Sequence, residues 1–261
     1  MSNASNHAAE PDPGSGPRSS ETKRHFRGSV LLLSGRVLAI LANFLFQVLV
    51  VRMLTKADYG AFAYALALVV LGAAVVRLGL EKSLTRFVPI YQERRDYARM
   101  AGVILIILIT IATLGLSLVL VVFGMQGFLA RHVTSDPLSL ALLLLLVVLA
   151  PLRAMDDVLE KMFAIFARPR SLFFRRYVLG PGLRLCAVIP LVFFHSNIYV
   201  FAAAYLAAGV IGTGYSVVLL FRVLRQQGLL QHFRPSRATF PVGRVFSFSL
   251  PLLATDVALS L

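Results

Sequence analysis

The chain has 261 residues, 58% of them apolar, and a mean hydropathy of +0.79. Soluble domains are about 45–50% apolar, so an ordinary soluble enzyme or binding domain is excluded. Lysine and arginine outnumber aspartate and glutamate by 26 to 12, a formal charge of +14. The basic residues fall between apolar runs, which speaks for membrane topology and against nucleic acid as a partner.

Apolar runs of about 20 residues recur, each long enough to cross a bilayer as a helix. A β-barrel would show short alternating segments instead. The expected class is all-α, a polytopic transmembrane helical bundle. Cys186 is the single cysteine, so no internal disulfide forms, and no Cys/His spacing suggests a metal. The five histidines are scattered. No cofactor is expected.

Residues 1–26, rich in Ser, Pro, Gly and Asn, read as a disordered cytoplasmic tail. They do not lead a signal peptide, because the first apolar run is too long and lacks a clean cleavage site. Residues 27–241 read as a lobe of six spans. Span one covers roughly Gly28–Val51 and span two Tyr59–Leu80. The segment "EKSLTRFVPIYQERRDYARM" follows. It mixes Leu84, Phe87, Val88 and Tyr91 with basic residues and resembles an interfacial segment, read as an ordinary membrane-surface loop, with a lipid-headgroup contact as the alternative. Span three covers Ala101–Phe123, and span four runs from Leu138 to about Ala167. Span five covers Phe173–Phe194 and span six Ile198–Phe221. Residues 242–261 open a seventh span and stop within it, which suggests a piece of a longer protein.

Counted along this topology, 23 of the 26 basic residues lie on the side of the N-terminus, and Arg52, Lys56 and Arg131 lie on the other. The positive-inside rule then places the N-terminus in the cytoplasm. The outer loops are short and carry no nucleotide-binding glycine motif. Neither feature suits a membrane glycosyltransferase or polymerase, so no catalytic residue and no enzyme activity is expected.

Polar residues inside the spans are the candidate site. Arg36, Asn43 and Gln47 lie within about 40° of one another on a helix, with Ser29 on the same stripe. Arg36 is about 13 Å of helical rise from Arg27, deep for snorkelling, so the stripe is read as lining a watery cavity. Arg184 lies similarly deep in span five. Arg77 and Arg153 are weaker candidates, since Arg77 also suits a membrane boundary. In "RAMDDVLEK", Arg153–Asp157 and Asp157–Lys161 are i,i+4 pairs, expected to form a solvated, salt-bridged helix end. Guanidinium groups donate planar, bidentate hydrogen bonds to phosphate, so the deep arginines suggest a phosphate-bearing substrate. Span seven carries Ser249, Asp256 and Ser260 at the same 7 and 4 spacing as Arg36, Asn43 and Gln47. That suggests a second copy of the six-helix unit, with the site between the two.

The stretch "SGRVLAILANFLFQVLVVRMLTKADYGAFAYALALVVLGAAVVRLGLEKSLTRFVPIYQ" resembles the start of bacterial polysaccharide-biosynthesis membrane proteins. These are the O-antigen and exopolysaccharide flippases of the multidrug/oligosaccharidyl-lipid/polysaccharide exporter superfamily. The similarity covers about Gly28 to Leu261, its elements being "VRML", "TKADYG" and "RLGLEKSLTRFVP". It implies a MATE-like fold of two six-helix lobes with alternating access in the bacterial inner membrane. It further implies undecaprenyl-pyrophosphate-linked oligosaccharide as cargo, used for lipopolysaccharide or exopolysaccharide. Membrane lipid, a polysaccharide polymerase and chain-length machinery are the other implied partners. Cationic lumen residues and ion coupling carry over to Arg36, and secondarily to Arg184 and Asp256. The family usually has twelve to fourteen spans, about twice the number here. The rivals are a drug/cation antiporter of the same superfamily, a non-transporting partner or scaffold, and a membrane glycosyltransferase or polymerase.

The topology has a direct test. With Cys186 replaced, single cysteines at Thr55, Arg131 and Ser196 should react with an impermeant thiol reagent from outside. Cysteines at Arg95, Arg170 and Arg234 should not. Labelling at 95 and 170 with none at 131 would invert the orientation.

Overall fold

The computed structural model describes residues 18–132, 136–166, 174–194 and 197–226. Residues 242–261, with Asp256, lie outside them, as do residues 1–17 of the expected tail. The described chain is helical throughout. Its elements are α1 (Arg18–Met53), α2 (Lys56–Arg77), α3 (Leu80–Glu93), α4 (Tyr97–Gly124) and α5 (Gln126–His132). After these come α6 (Pro137–Leu146), α7 (Leu149–Phe166), a π-helical turn (Phe174–Leu179), α8 (Gly180–Phe194) and α9 (Ile198–Gln226). α1 starts at Arg18, within the stretch read as tail.

Five helical segments among the described residues are long and apolar enough to cross a membrane: Leu33–Met53, Lys56–Arg77, Tyr97–Gly124, Pro137–Phe166 and Ile198–Gln226. The expected fifth span contains the shorter apolar helix Tyr177–Phe193. Large apolar side chains such as Phe44, Leu116, Leu120, Ile211 and Phe221 lie more than half exposed. That is how a bundle meets lipid and not water.

Local chemistry sets the helix starts. Thr55 Oγ1 accepts from the Asp58 backbone N–H at 3.1 Å and donates to its carboxylate at 2.7 Å, so Thr55 caps α2. Asp96 caps α4 through the Arg99 N–H. Asp136 caps α6 by accepting from the backbone N–H groups of Leu138 and Ser139, with Pro137 in the first turn. The Ser139 hydroxyl and backbone N–H, donating to Asp136, hold its carboxyl below the ordinary range.

Span four is broken where a single helix was expected, with the interruption at Val147–Val148. Pro151 explains it: a proline removes one i→i−4 hydrogen bond and crowds the carbonyl four residues back, here that of Val147. Pro181 stands four residues after Tyr177 in the π-helical turn, where the same crowding forces a wider turn.

The basic segment after span two is a second departure. α3 turns its apolar face inward against other helices. Leu80, Leu84, Val88 and Tyr91 are buried, and Phe87 packs against the same core. The helix docks on α4 and α7. The reversal that allows this is tight, since Leu78 (φ 47°) and Gly79 (φ 65°) are both left-handed.

Two apolar clusters stand at opposite ends. One joins Val76, Leu84, Met100, Ile107, Met162, Phe163 and Leu224 at the basic end. The other joins Val50, Phe62, Val69, Leu146, Val188 and Phe201. On α2, Ala61, Ala65, Val69 and Ala73 recur every four residues and are buried, a small-residue face that lets helices approach. The closest approach is at Gly115 of α4, where an added Cβ would overlap the Cβ of Pro151.

Gly115→Ala should therefore destabilise the fold by about 1–3 kcal/mol through overpacking. Gly214→Ala in α9, with nothing within 4 Å, should leave it unchanged or slightly more stable. Thermal unfolding of the detergent-solubilised protein reads both, and equal midpoints would contradict the packing.

Candidate functional site

A polar cleft of about 420 Å³ opens among α2, α7, the start of α8 and α9. α2 contributes Val70, Ala73 and Arg77, and α7 contributes Arg153, Asp156, Asp157 and Glu160. Leu179, Gly180, Leu183 and Arg184 close a further side, and α9 adds Gly212 and Ser216. An extension of about 110 Å³ shares Arg153, Asp156 and Arg184 and reaches Leu149, Tyr205 and Thr213.

The sequence builds this cleft with small residues on α9. Tyr205, Gly209, Gly212, Thr213 and Ser216 fall within about 100° of arc on one helix. A Cβ at Gly209 would stand 2.5 Å from Leu149 Cδ2, so the end of the Leu149 side chain packs over the α9 backbone at this glycine. Two side-chain contacts join α7 and α9. Arg153 Nη2 donates to the Tyr205 hydroxyl at 3.1 Å, and the Thr213 hydroxyl donates to Asp156 Oδ2 at 3.0 Å.

Arg77 ends α2 at the mouth of the cleft. Its Nη1 donates to Asp157 Oδ2 at 2.7 Å and stands 3.9 Å from Glu81 Oε2. The Arg77 and Asp157 side chains keep 29% and 39% of their exposure, so this ion pair is open to whatever fills the cleft. Glu81 Oε2 is buried without a hydrogen-bond partner among the described residues. The Arg153–Asp157 and Asp157–Lys161 pairs expected along α7 do not form. A direct contact with the Arg77 guanidinium, offered by the approach of α2 to α7, draws the carboxylate across helices instead. The acidic run is thus a wall of the cleft and not a solvated helix end.

The stripe on α1 divides. Asn43 Oδ1 accepts from Arg184 Nη1 at 3.3 Å, which ties α1 to the cleft's edge. Gln47 Nε2 donates to the Tyr59 hydroxyl at 2.7 Å, beside the turn into α2. Arg36 is exposed and makes no hydrogen bond or ion pair among the described residues. Arg36, Asn43 and Gln47 are not among the residues that line the cleft. Arg77, Arg153 and Arg184 do come together there. Sequence reasoning passed over Tyr205, Thr213 and Ser216 as lining residues. The polar and glycine stripe on an otherwise apolar span was the signal for them.

No group of three or more potential metal ligands gathers among the described residues. What the cleft offers is charge: three guanidinium groups faced by three carboxylates, on helices able to cross a membrane. These features define a multi-pass α-helical membrane protein with a polar cavity at its basic end. A sequence model of the family described as polysaccharide biosynthesis protein matches residues 26–261, and the chain belongs to that family. No curated protein and no solved structure matches it.

The ion pair at the mouth has its own test. Arg77→Ala leaves a half-buried carboxylate unpaired and should lower the unfolding midpoint by about 2–6 °C. Asp157→Asn added to Arg77→Ala should restore most of the loss. Additive losses in the double variant would contradict the pairing.

Proposed function

We propose that this chain moves an anionic, lipid-linked oligosaccharide from the cytoplasmic to the periplasmic face of the bacterial inner membrane. Undecaprenyl-pyrophosphate-linked glycan for a surface polysaccharide is the cargo of this reading. The pyrophosphate and first sugars enter the cleft while the prenyl tail stays in lipid. The cargo crosses without a covalent bond being made or broken, and a polysaccharide polymerase with its chain-length machinery receives it. The excess of basic residues on one side supports a cytoplasmic N-terminus, which puts the cleft mouth at the cytoplasmic face.

One observation carries the reading. Arginines from three helices meet in one cleft, and among the described residues two of them, Arg153 and Arg184, bond to neutral partners, Tyr205 and Asn43. Their charge is left available to an anion, and guanidinium suits phosphate oxygens in pairs. Arg36 stands two helical turns from Asn43 toward the basic end and extends the same edge as an outer collector of the headgroup.

A second reading draws on Asp156, Asp157 and Glu160. Three carboxylates in a cleft also suit a cation or drug antiporter.

The test is periplasmic glycan per unit of inserted protein, in cells where a variant replaces the resident copy. Arg184→Ala should lower it at least about tenfold, and Arg184→Lys should keep an intermediate level because the ammonium lacks the fork. Arg36→Ala should lower it with expression near normal. Unchanged glycan transfer in Arg184→Ala would sink the proposal. Loss of drug efflux in the carboxylate variants alone would favour the antiporter.

A further inference from the structure

We propose that Asp157 is a built-in stand-in for the substrate's phosphate: it occupies the Arg77 guanidinium in the empty cleft, yields it to a pyrophosphate group on binding, and takes it back on release. The inference rests on reading the cleft as a headgroup site, and it names the residue that sets how tightly that site holds.

Three observations carry it. First, Arg77 and Asp157 both line the cleft and both keep part of their exposure, so a ligand there meets the pair directly. An ion pair serving only to tie helices together gains nothing from standing open to the cavity. Second, the exchange conserves charge pairing. The phosphate replaces one carboxylate at a guanidinium that has five N–H donors and uses one hydrogen bond on Asp157 among the described residues. The released carboxylate has Lys161 one turn away on its own helix, at i+4. That is a pair that the sequence spacing favours and that does not form while Arg77 holds Asp157. Third, Glu81 Oε2 stands 3.9 Å from the same Arg77 Nη1, buried and without a hydrogen-bond partner among the described residues. It keeps the guanidinium at the mouth of the cleft while Asp157 leaves.

The physical gain is release. Three arginines alone would hold a pyrophosphate too firmly for a carrier that must let go on the other face. A carboxylate that competes for one of them weakens the bound state by the interaction it regains when the cargo departs. A ligand shifts an equilibrium only by its difference in affinity for the two states, and Asp157 supplies part of that difference.

The experiment uses the purified full chain in lipid nanodiscs, with inorganic pyrophosphate and farnesyl pyrophosphate as probes. Asp157→Asn should bind both about tenfold more tightly than wild type. Glu93→Gln, at an exposed position outside the cleft lining, should leave both affinities unchanged. The gain should vanish in the Arg77→Gln background, where adding Asp157→Asn changes nothing. In cells Asp157→Asn should move less glycan per inserted protein despite binding better, whereas a merely structural role lowers both. A measurement without variants runs beside it. Pyrophosphate should raise the labelling of Asp157 by a water-soluble carbodiimide in the wild-type protein several-fold, with Glu93 unchanged. Tightening for farnesyl pyrophosphate alone assigns the exchange to a lipid-linked headgroup, and tightening for both assigns it to the pyrophosphate whatever carries it. Wild-type binding that Asp157→Asn leaves unchanged or weakens, or Asp157 labelling that pyrophosphate does not raise, overturns the stand-in role alone. Absence of binding by wild type and variant alike overturns the headgroup site, and the stand-in role with it.

Discussion

A guanidinium group set into a hydrocarbon slab costs about 2.5–3.5 kcal/mol on insertion scales unless it finds water or an acceptor. In this bundle that requirement decides which helices meet and where. Arg77 is held by Asp157 across the α2–α7 contact, Arg153 by Tyr205 across α7–α9, and Arg184 by Asn43 across α1–α8. Each arginine thus fastens a different pair of helices. Because all three stand around one cavity, the same contacts that stabilise the bundle also leave a polar cleft in its basic half.

The two apolar clusters make sense around that cleft. Apolar packing closes the bundle at both ends, through Met162 and Phe163 at one and Phe62 and Phe201 at the other. Small residues do the rest: Gly115 against Pro151 draws α4 onto α7, and at Gly209 the end of the Leu149 side chain packs over the α9 backbone. In lipid, where burial of apolar surface gives little drive, such close packing and interhelical hydrogen bonds carry the association. α7 is the hub, touching α2, α3, α4 and α9, and it is also the helix that bears Arg153, Asp156, Asp157 and Glu160.

Much of the architecture was legible because it is local. A span is about 20 apolar residues in a row. Pro151 was visible too, but a 30-residue apolar pattern outweighed it, and the break at Val147–Val148 was missed. The docking of α3 was not legible, since an amphipathic face of Leu84, Val88 and Tyr91 suits lipid headgroups as well as protein until a partner helix is known. The site was legible in part for the same reason. The depth of Arg77, Arg153 and Arg184 in apolar runs singled them out, whereas the pairing of Asp157 with a residue 80 positions away has no signature in one sequence. Intrahelical spacing offered Arg153 and Lys161 instead, and tertiary geometry won over it.

Membership in the polysaccharide biosynthesis family and a cleft of mixed charge support the central proposal, that the cavity at the basic end is aqueous and receives a pyrophosphate-bearing lipid. Cysteine accessibility in inside-out vesicles tests it most directly. With Cys186 replaced, Leu183→Cys, in the cleft wall, should react with an impermeant thiol reagent, and a polyprenyl-pyrophosphate-linked sugar should protect it. Val210→Cys, on an exposed apolar face of α9, should stay unreactive. An unreactive Leu183→Cys, or one that reacts equally with and without the lipid-linked sugar, would contradict the account.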